Sequence, residues 1–224
     1  GVAKTIGGDI VKSAEHIDEH IIVAALIGAI VWNLFTWWIA MPSSSSHALV
    51  GGIIGAVLVS TGAIGLNFWG IGKIVLSLIL SPIIAIVVGF IIMNIFYLLF
   101  GKFRPSSLNN KFKRMQIITA ATMAFSHGSN DAQKSMGIIT LALLSGGYID
   151  VFEVPYYVKI LAATAMACGT AIGGWKIIKT VGGRIFKLQP ISGFAADLNS
   201  SVIIFSATLL SLPVSTTHVV SGSI

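Results

Sequence analysis

The sequence predicts an all-α fold, a polytopic bundle of transmembrane helices built from inverted-topology repeats with broken helices or helical hairpins. Three observations carry that prediction. Of the 224 residues, 55% are hydrophobic and only 10% charged, whereas a soluble domain carries about 25% charged residues. Apolar stretches of about 20 residues, the length that crosses a bilayer as a helix, recur at residues 21–40, 48–66, 73–100 and 157–175, with less regular ones at 115–146 and 198–224. Two short motifs also recur in the same order: "KTIGGDIVK" (4–12) is answered by "KTVGGRIFK" (179–187), and "PSSSSH" (42–47) by "PVSTTH" (213–218). Lipid offers no hydrogen bonds to a backbone and no long alternating strand pattern is present, so the spans are helices.

Residues 1–20 are amphipathic and acidic, without the basic start and apolar core of a signal peptide. Within them "HIDEH" (16–20) fits a zinc-peptidase pattern. No soluble catalytic domain surrounds it and the second copy carries nothing comparable, so it reads as the charged face of an interfacial helix. Residues 21–66 form a hairpin interrupted by Pro42 and a run of serines. Residues 73–100 cross once more to a connector crowded with Lys102, Arg104, Lys111, Lys113 and Arg114. A second basic cluster, Lys176, Lys179, Arg184 and Lys187, follows the span at 157–175. The formal charge of +6 therefore reflects the positive-inside rule rather than nucleic-acid binding, and both connectors belong in the cytoplasm. Asp150 and Glu153 fall on the outer side between them, and Trp37, Trp38, Trp69 and Trp175 suit interfacial anchoring. Cys168 is the single cysteine, so no intrachain disulfide is possible. Asn199-Ser200-Ser201 is a glycosylation sequon in form, but it enters an apolar span and is not expected to be modified.

The flanks of the two repeat copies carry opposite charge. Lys4 and Lys12 stand against Asp9, Glu15, Asp18 and Glu19 in the first, while the second is basic throughout. The first copy then faces out and the second in, which is an inverted repeat of the kind found in secondary transporters, with a site near the midplane where the halves meet. The expected organisation is a first inverted repeat at 1–100 with its N-terminal part missing, a basic cytoplasmic connector at 101–114, and a second inverted repeat at 115–224 with its C-terminal part missing.

Two polar stretches inside apolar runs are the candidate site. In "FSHGSNDAQKSMG" (125–137) an intramembrane Asp131 is a functional residue by default. Gly128 and Gly137 predict a broken helix there. Its unwound carbonyls, together with Asn130, Asp131, Ser126 and Ser129, would make an oxygen-rich cation site suited to Na⁺. A local Asp131–Lys134 pair at i and i+3 is the simpler reading, but it leaves Asn130, Gln133 and the serines unexplained. The proline and hydroxyl stretches supply opposite chemistry. Ser and Thr cap helix N-termini, and a helix N-terminus presents free N–H groups and positive dipole to an anion. Ser44, Ser45 and Ser46 with Ser215, Thr216 and Thr217 would then clasp one oxyanion from two sides. His47 and His218 follow each run and serve packing or a first-turn hydrogen bond.

On these residues the sequence resembles the inorganic phosphate transporter (PiT) family of sodium- or proton-coupled phosphate symporters. "SHGSNDAQKSMGIIT" (126–140) is similar to its second-half signature, and "PVSTTHVVSG" (213–222) and "PSSSSHALVGG" (42–52) to its hydroxyl motifs. The first-half Gly-Ala-Asn-Asp signature is absent from the chain. The resemblance implies helical hairpins meeting near the membrane centre, phosphate at Ser44, Ser45, Ser46, Ser215, Thr216 and Thr217 with Gln133 and Ser135 nearby, and the cation at Asn130 and Asp131. Asp197 is a further candidate on the path. The expected function is symport of inorganic phosphate with Na⁺ or H⁺ by alternating access across the plasma membrane, with no cofactor beyond the coupling ion and no nucleic-acid partner. Homo-oligomerisation is left open. A sulfate carrier on the same scaffold is the alternative. A Ser-His hydrolase is set aside because no Gly-x-Ser-x-Gly elbow exists.

Overall fold

A computed structural model describes residues 2–12, 18–103, 105–180 and 189–224. His16 of the zinc-like pattern, with Arg104, Arg184 and Lys187 of the basic clusters, lies outside the described residues. Among the described residues the regular elements are helices: α1 (Val2–Gly8), α2 (Glu19–Trp38), α3 (Ser45–Thr61), α4 (Phe68–Phe100), α5 (Pro105–Ser145), α6 (Tyr156–Thr180), α7 (Pro190–Leu209) and α8 (Thr216–Ser223). A 3-10 turn (Gly62–Gly65) closes α3. The segment after α1 pairs briefly with the turn before α4, where Lys12 N–H donates to Gly65 O (3.1 Å) and Asn67 N–H to Ile10 O (2.9 Å).

Among the described residues four helices are long and apolar enough to span: Glu19–Trp38, Ser45–Gly65, Phe68–Phe100 and Tyr156–Trp175. They coincide with the four regular apolar stretches of the sequence. Ile27, Val31 and Leu34 on α2, Phe90 and Leu98 on α4, and Leu161 and Ile172 on α6 are exposed, as lipid-facing side chains are. The interior is apolar in two patches. One gathers Val2 and Ile6 of α1 with Ile22, Val57, Ile74 and Ile138. The other gathers Ala85, Ile204, Val214 and Val219 where α4, α7 and α8 meet.

Both expected hairpins are present. α2 packs on α3 and α7 on α8, and the two turns have the same backbone. Ala40 (φ 56°) and Ser211 (φ 61°) both adopt the left-handed region. The bonds match too: Met41 N–H donates to Thr36 O at 2.9 Å, and Leu212 N–H to Ala207 O at 2.8 Å. α4 runs through Pro82, whose missing N–H frees the Leu78 carbonyl. Ser81 Oγ donates to that carbonyl at 3.3 Å.

The expected break at Gly128 to Gly137 is not there. α5 is one unbroken helix of 41 residues, about 60 Å long against a hydrocarbon core of about 30 Å. It absorbs residues 105–114 of the basic connector as its first turns, so the repeat boundary at 114/115 falls inside a helix. Glycine costs a helix only about 1 kcal/mol, and the polar run meets its needs without unwinding. Ser126 donates to Thr122 O (2.9 Å) and Thr140 to Met136 O (2.7 Å). Gly137 serves packing instead: a Cβ there would collide with the Ala3 carbonyl of α1, whereas one at Gly128 would meet nothing within 4 Å.

Candidate functional site

Ser44 and Ser215 are the N-caps of α3 and α8, with extended backbone, and each accepts from the N–H three residues on: His47 N–H at 3.2 Å and His218 N–H at 3.3 Å. The first hydroxyl of each triplet is thus spent on capping. The third hydroxyls cross between the hairpins. Ser46 Oγ donates to Val214 O (2.9 Å), and Thr217 Oγ1 donates to Ser43 O (3.1 Å). Val214 and Ser43 each precede a cap, so the two bonds are the same bond made in both directions. A second reciprocal pair lies beside it. Thr5 donates to Ser211 O and Thr180 to Ala40 O, both at 3.0 Å, so the "KT" of each repeat copy fastens the other hairpin's turn. The His47 and His218 rings lie 5.1 Å apart across the seam.

The second position differs between the tips. Thr216 is buried and donates to Asp131 Oδ2 (3.1 Å), whereas Ser45 is exposed. Ser77 of α4 holds the second tip from behind by donating to Pro213 O (2.7 Å).

Asp131 is paired with Lys134, the simpler of the two readings that the sequence allowed. Its Oδ1 accepts from Lys134 Nζ at 2.5 Å, and its Oδ2 faces His127 Nε2 at 3.0 Å. The sequence offered Lys134 only as the local partner of Asp131, and its reach to both hairpin tips is what went unread. Lys134 is only 2% exposed, and its ammonium also donates to Ser46 Oγ (2.6 Å) and Val214 O (2.7 Å). One side chain therefore touches the carboxylate, a hydroxyl of the first tip and a carbonyl of the second. A lysine in an apolar run was the available signal, since such a charge needs partners inside protein. No sequence rule names a carbonyl 80 residues away.

The other candidates divide. Asn130 is fully buried, donates through Nδ2 to Thr208 Oγ1 of α7 (2.9 Å), and leaves its Oδ1 without a protein partner. Ser126 is buried against its own helix. Ser129 and Gln133 line a cavity of about 610 Å³ bordered by Lys159 and Ala163 of α6, away from the tips. Ser135 is exposed. Asp197 accepts from Thr119 at 3.5 Å between α5 and α7. Asn199 is fully buried and donates to Ala85 O and Ser223 Oγ, which agrees with the sequon being unavailable. Trp37, expected as an interfacial anchor, donates its indole N–H to Gly173 O of α6 (3.0 Å). Among the described residues no three His, Cys, Asp or Glu side chains converge as a metal site would require.

Comparison with known proteins gives these features a context. The profile of the phosphate transporter family matches residues 1–224. The chain belongs to that family. It is 52% identical over 227 residues to a probable low-affinity inorganic phosphate transporter of Bacillus subtilis (strain 168), covering all of this chain and 68% of that protein. It is 42% identical to a similarly named protein of Rhizobium meliloti (strain 1021), with 100% and 67% covered. A solved structure titled the sodium-dependent phosphate transporter superposes with a TM-score of 0.88 at 25% identity, covering 100% of this chain and 74% of that one. The phosphate transporter family is one of transport rather than catalysis, and with its four spans the chain is an integral membrane protein. This family context gives the Ser-His hydrolase, for which Ser126 with His127 or Ser215 with His218 were the candidates, no support.

Proposed function

We propose that this chain carries inorganic phosphate across the plasma membrane by cation-coupled symport with alternating access, holding the anion between the tips of the α2–α3 and α7–α8 hairpins. The observation that carries the reading is the meeting of two capped helix N-termini, each with a hydroxyl triplet, through the reciprocal Ser46–Val214 and Thr217–Ser43 bonds. Two helix starts aimed at one place supply N–H donors and positive dipole to an oxyanion. The hydroxyls now bonded across the seam are those that would turn to the substrate. The reciprocal bonds, and the Thr5 and Thr180 pair beside them, support an inverted repeat at 1–100 and 115–224 joined through 101–114. The names of the relatives favour phosphate over the sulfate alternative.

The coupling ion is Na⁺ or H⁺. Asn130, Ser126 and Ser129 remain the cation-side groups of this reading, while Asp131, expected with them, already pairs with the Lys134 ammonium. Asn130 Oδ1, buried and without a protein partner, supports a polar guest beside α7, because a buried acceptor left unmet costs about 1–3 kcal/mol. Gln133, which lines the cavity beside α6, and the exposed Ser135 are given no contact with the anion in this reading. The test is uptake of labelled phosphate by the full-length protein in liposomes, with imposed Na⁺ and pH gradients varied separately. Accumulation driven by one gradient is expected; equal uptake with neither gradient would mean a passive path and end the symport reading.

A further inference from the structure

Among the described residues Lys134 is the buried basic side chain at the seam, and its surroundings are those of a bound cation. Asp131 Oδ1, Ser46 Oγ and Val214 O converge on Nζ at 2.5, 2.6 and 2.7 Å. An ammonium has three N–H donors, and these three oxygens use all of them. A carboxylate, a hydroxyl and a carbonyl are also the hard oxygen donors that a Na⁺ ion in a transporter takes. The donors come from three places in the chain: α5, the first residues of α3, and the segment before α8. A free ion would bridge the same three places.

We propose that the Lys134 ammonium is the resident cation of this position, a tethered charge that neutralises Asp131 and joins both hairpin tips, so that no Na⁺ binds at Asp131. Lysine thereby determines ion specificity here. A Na⁺ ion approaching Asp131 Oδ1 would find its coordination sphere occupied and a like charge a few ångströms away, with little water to screen the repulsion. The proposal rests on the reading of the seam as the transport site, but it concerns the cation and not the anion. Positive charge held by the chain itself also sits beside the Ser46 hydroxyl, where the phosphate reading needs it, without drawing on the sodium gradient at this place.

The test counts Na⁺. Binding of radioactive Na⁺ to purified full-length protein is measured for the wild type, K134Q and D131N/K134Q, and binding of labelled phosphate is measured separately on the same preparations. K134Q is expected to bind one more Na⁺ per chain than the wild type. The double variant, with the carboxylate gone as well, should return to the wild-type number. Equal numbers in wild type and K134Q overturn the proposal. Absence of saturable phosphate binding in the wild type would instead overturn the phosphate reading and leave the Na⁺ count standing. If K134Q is unstable, NaCl but not choline chloride should raise its melting temperature. Should it fail to fold in either salt, D131N decides. With Asp131 already satisfied by lysine, D131N should keep the wild-type Na⁺ number, and the loss of one ion would place Na⁺ at Asp131 after all.

Discussion

Removing the hydroxyl of Ser46 should cost more stability than removing that of Thr217, although the two occupy equivalent positions in the repeated motif. Ser46 Oγ has two partners: it donates to Val214 O at 2.9 Å and accepts from the buried Lys134 ammonium at 2.6 Å. A hydrogen bond to a charged group contributes about 1.5–3 kcal/mol and a neutral one about 0.5–1.5. Ser46→Ala therefore removes about 2–4 kcal/mol, with Val214 O still satisfied by Lys134. Thr217 Oγ1 makes the neutral bond to Ser43 O at 3.1 Å, so Thr217→Ala removes about 1 kcal/mol. At about 2–4 °C per kcal/mol for chains of this size, the first variant should melt at least about 4 °C below the wild type and clearly below the second. Both should weaken phosphate binding if both triplets hold the anion, by about tenfold or more for each lost bond to a charged ligand. Melting scans at one fixed rate and phosphate titrations on the same samples read the two effects. Equal melting shifts would refute the argument from Lys134, and unchanged phosphate affinity in both would remove the tips from the anion site.

Asp131→Asn keeps size but leaves Lys134 and His127 without their acceptor charge; gradient-driven phosphate uptake should be lost while the protein still inserts, and undiminished uptake would return Asp131 to a structural role. Gly137→Ala should cost about 1–3 kcal/mol by forcing α1 away from α5, whereas Gly128→Ala, with open space around it, should be neutral or stabilising by up to about 1 kcal/mol; the difference is read as melting temperature. After Cys168→Ala, cysteines placed at Lys12 and Lys113, both exposed, should react oppositely with an impermeant reagent in right-side-out vesicles. Position 12 should label and position 113 should not, and the reverse result inverts the assigned topology.

What the sequence could say about this fold depended on how local each signal was. The spans were legible because hydropathy accumulates over a whole helix, and the tips because a proline and three hydroxyls recur in two places. The continuity of α5 was not legible. Gly128, Ser129, Asn130 and Asp131 look like a break to any local rule, and the helix survives because Ser126 turns back onto Thr122 O and Asn130 reaches Thr208. Thr5 and Thr180 stood out as repeated letters, yet their partners, Ser211 O and Ala40 O, are carbonyls that any residue would supply. The role of Lys134 was hidden for the same reason. Its pairing with Asp131 is a matter of helical spacing, but its other two acceptors come together only when both hairpins fold back on α5.

The opposite charges of Asp131 and Lys134 sit three residues apart on one helix, while the reciprocal bonds between the hairpins and their partners join neutral hydroxyls to carbonyls. If one hairpin slides past the other, as the alternating-access proposal requires, no cation is pulled from its anion in a medium that punishes bare charge. What would part are the neutral cross-hairpin bonds of about 1 kcal/mol each, the two bonds that Lys134 extends to the tips and the Thr216 bond to Asp131, while the ion pair itself stays intact on its own helix. On the alternating-access proposal the electrically expensive pair would travel within one helix, and only hydrogen bonds would have to part at the seam.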